Sequence, residues 1–173
     1  MYALRPAIKA DADFLFRVYS STRERELSIV PWSPEQKAVF LRMQYAAQEA
    51  HYRSHYPGAS FDVILVGDEP AGRLAIHRIP TDIRVVDISL LPEFRNRGIG
   101  KSIFTDLLAE ADRANQEVSL HVEPRSPARR LYDRLGFRAV VPREDNATHV
   151  LMRRGARGAV NVPGTIRRPG EGR

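Results

Sequence analysis

The 173-residue sequence contains no cysteine. Disulfides, thiolate metal ligands and a thiol nucleophile are therefore excluded. Long hydrophobic runs are also missing: no stretch approaches the ~18 apolar residues that a membrane-spanning helix requires. The N-terminus, MYALRPAIKADADF, lacks the basic start and apolar core of a secretory signal. A cytoplasmic protein with no membrane partner is expected, and in that setting the sequon Asn146-Ala-Thr148 reads as chance. Histidines number five and are scattered. Only His51 and His55 share the i, i+4 spacing of a helix, and no Glu-bearing motif surrounds them. No metal site is expected, and the pair reads as a solvated helix face. No internal repeat is visible.

What is present describes one globular domain. Hydrophobic residues make up 43% and charged residues 28% of the chain, a balance that supports a packed core rather than disorder. The net charge of +6 is unevenly placed. Residues 153–173 hold six Arg and one Glu, which leaves the rest of the chain nearly neutral. A folded domain over 1–153 and a Gly/Pro/Arg-rich basic tail over 154–173 are expected, the tail being disordered for want of any apolar period. Nucleic acid is not an expected partner for the neutral body, and an RNA-associated role through the tail is a minor alternative.

The order of elements follows from capping and periodicity. Tyr2–Arg5 reads as a strand. Asp11 or Asp13 can cap a helix to about Ser20, with Phe14, Leu15 and Val18 inward. Ser33 and Gln36 form a capping box with Pro34 at the first helical position. The helix that follows carries Val39, Met43, Ala46, Ala47 and Ala50 as its apolar stripe and ends at Pro57-Gly58. Strands are expected at 61–66, 71–78 and 83–90, the first two joined by the Gly67-Asp68-Glu69-Pro70 turn. Ile99, Ile103, Leu107 and Ala111 form a helical stripe ending near Asn115. A strand at 118–123, a helix at 128–135 closed by Gly136, and a final hairpin (137–141 with 148–152, around PREDNA) complete the chain. This β-α-α-β-β-β-α-β-α-β-β order implies an α/β or α+β sandwich with helices on the faces of a mixed sheet.

The run LLPEFRNRGIGKS joins a strand to a helix. Gly100-Lys101-Ser102 ends like a Walker A loop, but that motif needs its first Gly at position 95, which is Arg95. A dinucleotide fingerprint fails as well, because position 103 is Ile103 rather than Gly. What survives is Arg95-x-x-Gly98-x-Gly100 at a helix start. There, glycines permit close approach, and unpaired N–H groups at the positive end of the helix dipole suit a pyrophosphate. Arg95, Arg97 and Lys101 add positive charge. The competing reading is a solvated basic turn; the strand–loop–helix context favours the phosphate site.

The segment LLPEFRNRGIGKSIFTDLLAEA resembles the coenzyme-binding motif of the GCN5-related N-acetyltransferase (GNAT) superfamily, [RQ]-x-x-G-x-[GA]. Some thirty residues later, ARRLYDRLGFR resembles that family's second signature. The resemblance covers about residues 1–153. It implies a mixed, mostly antiparallel twisted sheet of about seven strands flanked by about four helices, with two central strands splayed apart. It also implies acetyl-CoA as co-substrate. The pyrophosphate would lie on Arg95, Asn96, Arg97, Gly98, Ile99, Gly100, Lys101 and Ser102, chiefly on main-chain N–H groups from 97 to 102. The pantetheine arm would pair with the strand end Ser89, Leu90 and Leu91, and Tyr132 would protonate the leaving thiolate. The family often carries Asn just before the second helix. Here the chain reads Arg125-Ser126-Pro127-Ala128, with Ser126 available to cap the helix and contact pantetheine.

Direct acyl transfer needs a neutral amine, and deprotonating a lysine-like ammonium at pH 7 costs roughly 4–5 kcal/mol. His121, on the strand before the Tyr132 helix, has an intrinsic pKa suited to taking that proton. Glu123, Asp87, Glu24 and Glu26 are rivals, and Asp87 in the apolar strand RVVDISLL wants a partner or a role. The segment from about Ser20 to Pro34 is expected to be a loop covering the acceptor, with Trp32 and Tyr52 able to shape that site. The expected activity is transfer of an acetyl group to a small-molecule or protein amine. A non-catalytic acyl-CoA sensor is the alternative, and a homodimer is a possible assembly.

Overall fold

The computed structural model describes residues 1–140 and 149–157. In chain order the elements are β1 (Ala3–Pro6), α1 (Ala12–Ser28), α2 (Pro34–His55), β2 (Ser60–Val66), β3 (Glu69–Ile79), β4 (Asp82–Leu90), α3 (Ile99–Ala114), β5 (Glu117–Val122), α4 (Arg129–Arg134), β6 (Arg138–Ala139) and β7 (Val150–Arg154). Single 3-10 turns precede α1, at Lys9–Asp11, and follow β4, at Pro92–Phe94. This is the expected order. Among the described residues, no helix is long and apolar enough to cross a membrane. The PREDNA turn, the sequon and the tail from residue 158 lie outside the described residues.

The strands form one sheet in the order β1-β2-β3-β4-β5-β7-β6. All neighbours are antiparallel except β4 and β5. Helices α1 and α2 pack on one face of the sheet. On the other, Ile103, Phe104, Leu107, Leu108 and Ala111 of α3 join the buried cluster with Leu74, Ile83, Val85, Val118 and Leu120. The parallel ladder runs only from Asp82–Glu117 to Val85–Leu120. At that point β4 bulges: Ile76 of β3 faces Val85 and Ala75 faces Asp87, leaving Val86 extra. A bulge bends and twists its strand, so β4 and β5 part where the bulge begins. Gly72 holds the other side of β4 close, since a Cβ there would stand 2.2 Å from the Ser89 carbonyl oxygen.

Two expectations change. Helix α1 does not stop near Ser20 but runs to Ser28, so the supposed acceptor loop shrinks to residues 29–33. The hydroxyls at the expected helix end bond inside the helix. Ser20 donates to Phe16 O (2.8 Å), Ser21 to Val18 O (2.7 Å) and Thr22 to Tyr19 O (2.7 Å), a pattern compatible with continued helix. The intervening Arg, Glu and Leu are good helix formers. Helix α2 begins with the expected capping box, Gln36 N–H on Ser33 Oγ at 3.2 Å and Ser33 N–H on Gln36 Oε1 at 2.9 Å. Its aliphatic stripe, however, faces outward: Val39 is 70% and Met43 59% exposed. The inward face is aromatic and polar, with Tyr45 against Phe16 and Tyr19 at 5.7 and 5.3 Å between centroids.

The N-terminal segment is tied down by Asp11. Its carboxylate takes a bidentate pair from Arg5 (2.7 Å each) and the Ile8 N–H (2.8 Å), which lowers its pKa to about 2. The folded value lies below the unfolded one, so this stabilisation is present above pH ~4 and fades as pH falls from about 4 to 2. Asp11→Asn is expected to cost about 1–2 kcal/mol at pH 7 and to flatten the acid limb of stability, measured by urea unfolding across pH. The described fold reaches slightly past the expected domain end. Asp112 binds Arg154 (2.6 and 3.0 Å) and the Arg157 N–H (2.7 Å).

Candidate coenzyme and acyl-transfer site

The corner between β4 and α3 is built from backbone. Gly98 stands at the N-cap of α3 with φ 79°, and Asn96 two residues earlier has φ 60°. The first of these is a left-handed conformation that favours glycine. Ser102 N–H makes the first intrahelical bond, to Gly98 O at 3.0 Å. The N–H groups of Ile99, Gly100 and Lys101 therefore have no acceptor within the helix. Unlike α2, α3 has no side-chain cap, and no acidic residue lies in its first turn. The positive end of the helix dipole is therefore not neutralised by a capping side chain or a first-turn acid. A Cβ on Gly100 would meet nothing nearer than Leu131 Cδ2 at 3.8 Å, so the small residue leaves space on the solvent side rather than relieving a clash. These features fit a diphosphate group.

Several predicted residues act otherwise than expected. Ser102 uses its N–H inside the helix, which ends the cradle at Lys101. The guanidinium of Arg95 turns inward, donating to Leu90 O (2.8 Å), Ser21 Oγ (2.9 Å) and Ser21 O (3.3 Å). It fastens the loop to β4 and α1 instead of presenting charge to a ligand. Arg97 lies over the Phe94 ring at 5.5 Å. Leu91 N–H is bonded to Ala71 O at 2.9 Å. Ladder alternation then directs the main chain of Ser89 and Asp87 toward β3, and that of Leu90 and Ile88 toward the gap beside β5. With Leu90 O held by Arg95, the open strand groups are the Leu90 N–H and both polar groups of Ile88. Ser126 forms a turn before α4, its Oγ accepting from Ala128 N–H at 3.3 Å.

Tyr132 of α4 packs edge-on against Phe104 at 5.0 Å and tilted against Phe137 at 5.8 Å. Its hydroxyl has no protein hydrogen-bond partner among the described residues, and only 6% of the residue is exposed. Burial, helped by the negative charge of Asp87, pushes its pKa up to about 12. Asp87 itself lies at the β4 bulge, where it accepts from Ser89 Oγ (3.0 Å) and pairs with Arg73 Nε (3.1 Å). Burial raises its pKa despite Arg73. Arg73 also pairs with Glu49 of α2 at 2.8 Å and is 4% exposed.

His121 is brought to the mouth of the gap but not as a free base. Its Nδ1 lies 3.2 Å from Arg84 Nη1, and a guanidinium only donates, so Nδ1 accepts and Nε2 carries the ring proton. Burial first, then Arg84 and His149, lower its pKa. Glu26 is held by Arg23 (3.2 Å), and Glu123 pairs with Arg23 (3.6 Å). Glu24 lies exposed on α1. Trp32 stacks edge-on against Phe40 at 5.2 Å, while Tyr52 lies beneath the Arg73 guanidinium at 5.9 Å. Sequence reasoning missed Arg73, although a cation inside the otherwise apolar run AGRLAI was a signal that a buried acid lay nearby.

Among curated proteins no sequence match was found. In solved structures, a PaiA N-acetyltransferase from Thermoplasma acidophilum in complex with coenzyme A is similar at TM-score 0.66 and 16% identity, over 90% of this chain and 99% of that one. An acetyltransferase from Thermus thermophilus gives 0.63 at 18% identity, over 90% and 97%. The histone acetyltransferase HPA2 and related acetyltransferase from Corynebacterium glutamicum gives 0.62 at 18% identity, over 90% and 96%. The fold is shared with all three. The model of the acetyltransferase (GNAT) family matches residues 18–137, a span that holds the split strand pair, the uncapped helix and Tyr132. The chain thus belongs to the GNAT acetyltransferase family.

Proposed function

We propose that the protein is an N-acetyltransferase that moves an acetyl group from acetyl-CoA to a primary amine, of a small molecule or a protein, by direct attack in a ternary complex. The observation that carries this reading is the uncapped start of α3 beside an open strand edge, with the unpartnered Tyr132 hydroxyl close by. In this reading the N–H groups of Ile99, Gly100 and Lys101 hold the pyrophosphate, and Ile88 and Leu90 pair with the pantetheine arm as an added strand.

The amine nitrogen attacks the thioester carbonyl; the C–N bond forms, the C–S bond breaks, and the sulfur leaves as thiolate. Tyr132, with a pKa of about 12, stays protonated at any working pH. Full transfer of its proton to a thiolate whose thiol pKa is ~8.5 would be uphill by about 5 kcal/mol. Tyr132 therefore stabilises the departing sulfur by donating a hydrogen bond, and the proton lost by the amine ends on the thiol. Asp87 suits the role of proton acceptor better than His121, because burial raises the proton affinity of the first and lowers that of the second. Asp87→Asn should therefore remove the acid limb of the kcat/KM profile, whereas His121→Gln should leave that limb in place.

An amine panel with acetyl-CoA, followed by thiol release, tests the activity. Tyr132→Phe is expected to lower kcat by about 10–100-fold with coenzyme affinity within two- to threefold of wild type and little loss of stability. Tight coenzyme binding without turnover on any amine would favour a sensor. No thermal shift with coenzyme A would overturn both readings.

A further inference from the structure

Helix α2 carries an apolar strip that the described residues leave uncovered. Val39, Met43, Ala46, Ala47 and Ala50 recur at helical spacing on one side, and all are exposed. Four of the nine large apolar residues exposed among the described residues, Ile29, Trp32, Val39 and Met43, fall between positions 29 and 43. An amphipathic helix normally turns such a strip inward, and a contiguous exposed one marks an interaction surface. At 22 residues the helix is about 33 Å long.

The strip is complementary to itself in one direction only. Its N-terminal half bears the bulky residues, Val39 and Met43, and the acidic Glu35. Its C-terminal half bears the small residues, Ala46 and Ala50, and the basic Arg53, whose side chain is 68% exposed. Two copies packed head to tail about a point between residues 44 and 45 set Val39 against Ala50 and Met43 against Ala46, large against small. The same register brings Glu35 beside Arg53, because in an antiparallel pair like flanks meet. A parallel pair would stack Met43 on Met43, leave a gap between the alanines and keep Glu35 and Arg53 at opposite ends of the interface. We propose that α2 is the two-fold interface of a homodimer, in which it packs antiparallel against α2 of a second copy. An isologous contact uses each complementary pair twice, and the surface lies away from the α3 corner, so assembly does not require coenzyme.

Sedimentation of the full chain to ~100 μM tests the arrangement. The wild type is expected to dimerise, and Met43→Glu to be a monomer with unchanged melting temperature and coenzyme affinity. Glu35→Arg and Arg53→Glu should each weaken the dimer about ten-fold, two ion pairs being lost per dimer. The double variant, which exchanges the charges, should restore it to within about three-fold. A monomeric wild type at all concentrations, a dimer that survives Met43→Glu, or a double variant weaker than either single one would overturn the proposal.

Discussion

Gly100→Asp is expected to weaken coenzyme A binding by at least 100-fold while leaving the fold as stable as before or slightly more so. The two effects have opposite signs for one physical reason. A Cβ at position 100 has room, its nearest neighbour being Leu131 Cδ2 at 3.8 Å, and the residue lies in the first turn of a helix with no cap and no acid. A carboxylate there interacts with the free N–H groups and the helix dipole, worth about 0.3–1 kcal/mol. Replacing a helical glycine adds a few tenths more. The same carboxylate stands where the pyrophosphate would sit and repels it. Titration calorimetry with coenzyme A and a thermal melt measure both. A variant that keeps its affinity within threefold would remove α3 as the phosphate site.

Arg73→Met is expected to destabilise the protein by about 3–5 kcal/mol, the cost of removing one partner from a buried ion pair. Arg73 is 4% exposed and stands between Glu49 at 2.8 Å and Asp87 at 3.1 Å; without it, two largely buried carboxylates are left to repel one another beneath α2. The triple variant with Glu49→Gln and Asp87→Asn should recover about half of the loss, because the charges that need a cation are gone. The pH dependence supplies a second readout. The folded-state pKa of Asp87 is raised above its unfolded value even beside Arg73, so its folded form is favoured when protonated and that advantage is lost as pH rises through the raised value. Removing Arg73 enlarges the shift. The single variant should therefore be closer to wild type at mildly acidic pH than at pH 8, as read by denaturant unfolding. A loss below ~1 kcal/mol would mean that water, not Arg73, solvates these acids.

Much of the fold was legible because it is written in short-range chemistry. The Ser33–Gln36 capping box, the Gly136 helix end at φ 92° and the Gly98-x-Gly100 corner involve residues within a few positions of one another. So does the Gly67-Asp68 turn between β2 and β3, and each of these appears where expected. The α1 boundary was misread because Ser20, Ser21 and Thr22 are ambiguous: their hydroxyls can close a turn or bond back into a helix, and only the packing of Val18, Tyr19, Ser21 and Leu27 selects the second. The orientation of α2 was misread because two faces of that helix are apolar in different ways. An aliphatic count chose Val39 and Met43, whereas the aromatic face found partners in Phe16 and Tyr19.

The site divides in the same way. By itself, the sequence determined that a helix with an uncapped, glycine-lined N-terminus follows a strand, and that a Tyr-bearing helix comes some thirty residues later. Those features depend on backbone freedom and hydrogen-bond supply within single segments. Only the tertiary structure decided that Arg95 points inward to Ser21, that Arg84 takes the Nδ1 of His121, and that Glu49, Arg73 and Asp87 meet. Each of those contacts joins residues from different elements, and electrostatic partners at such separations are chosen by how the sheet brings the elements together.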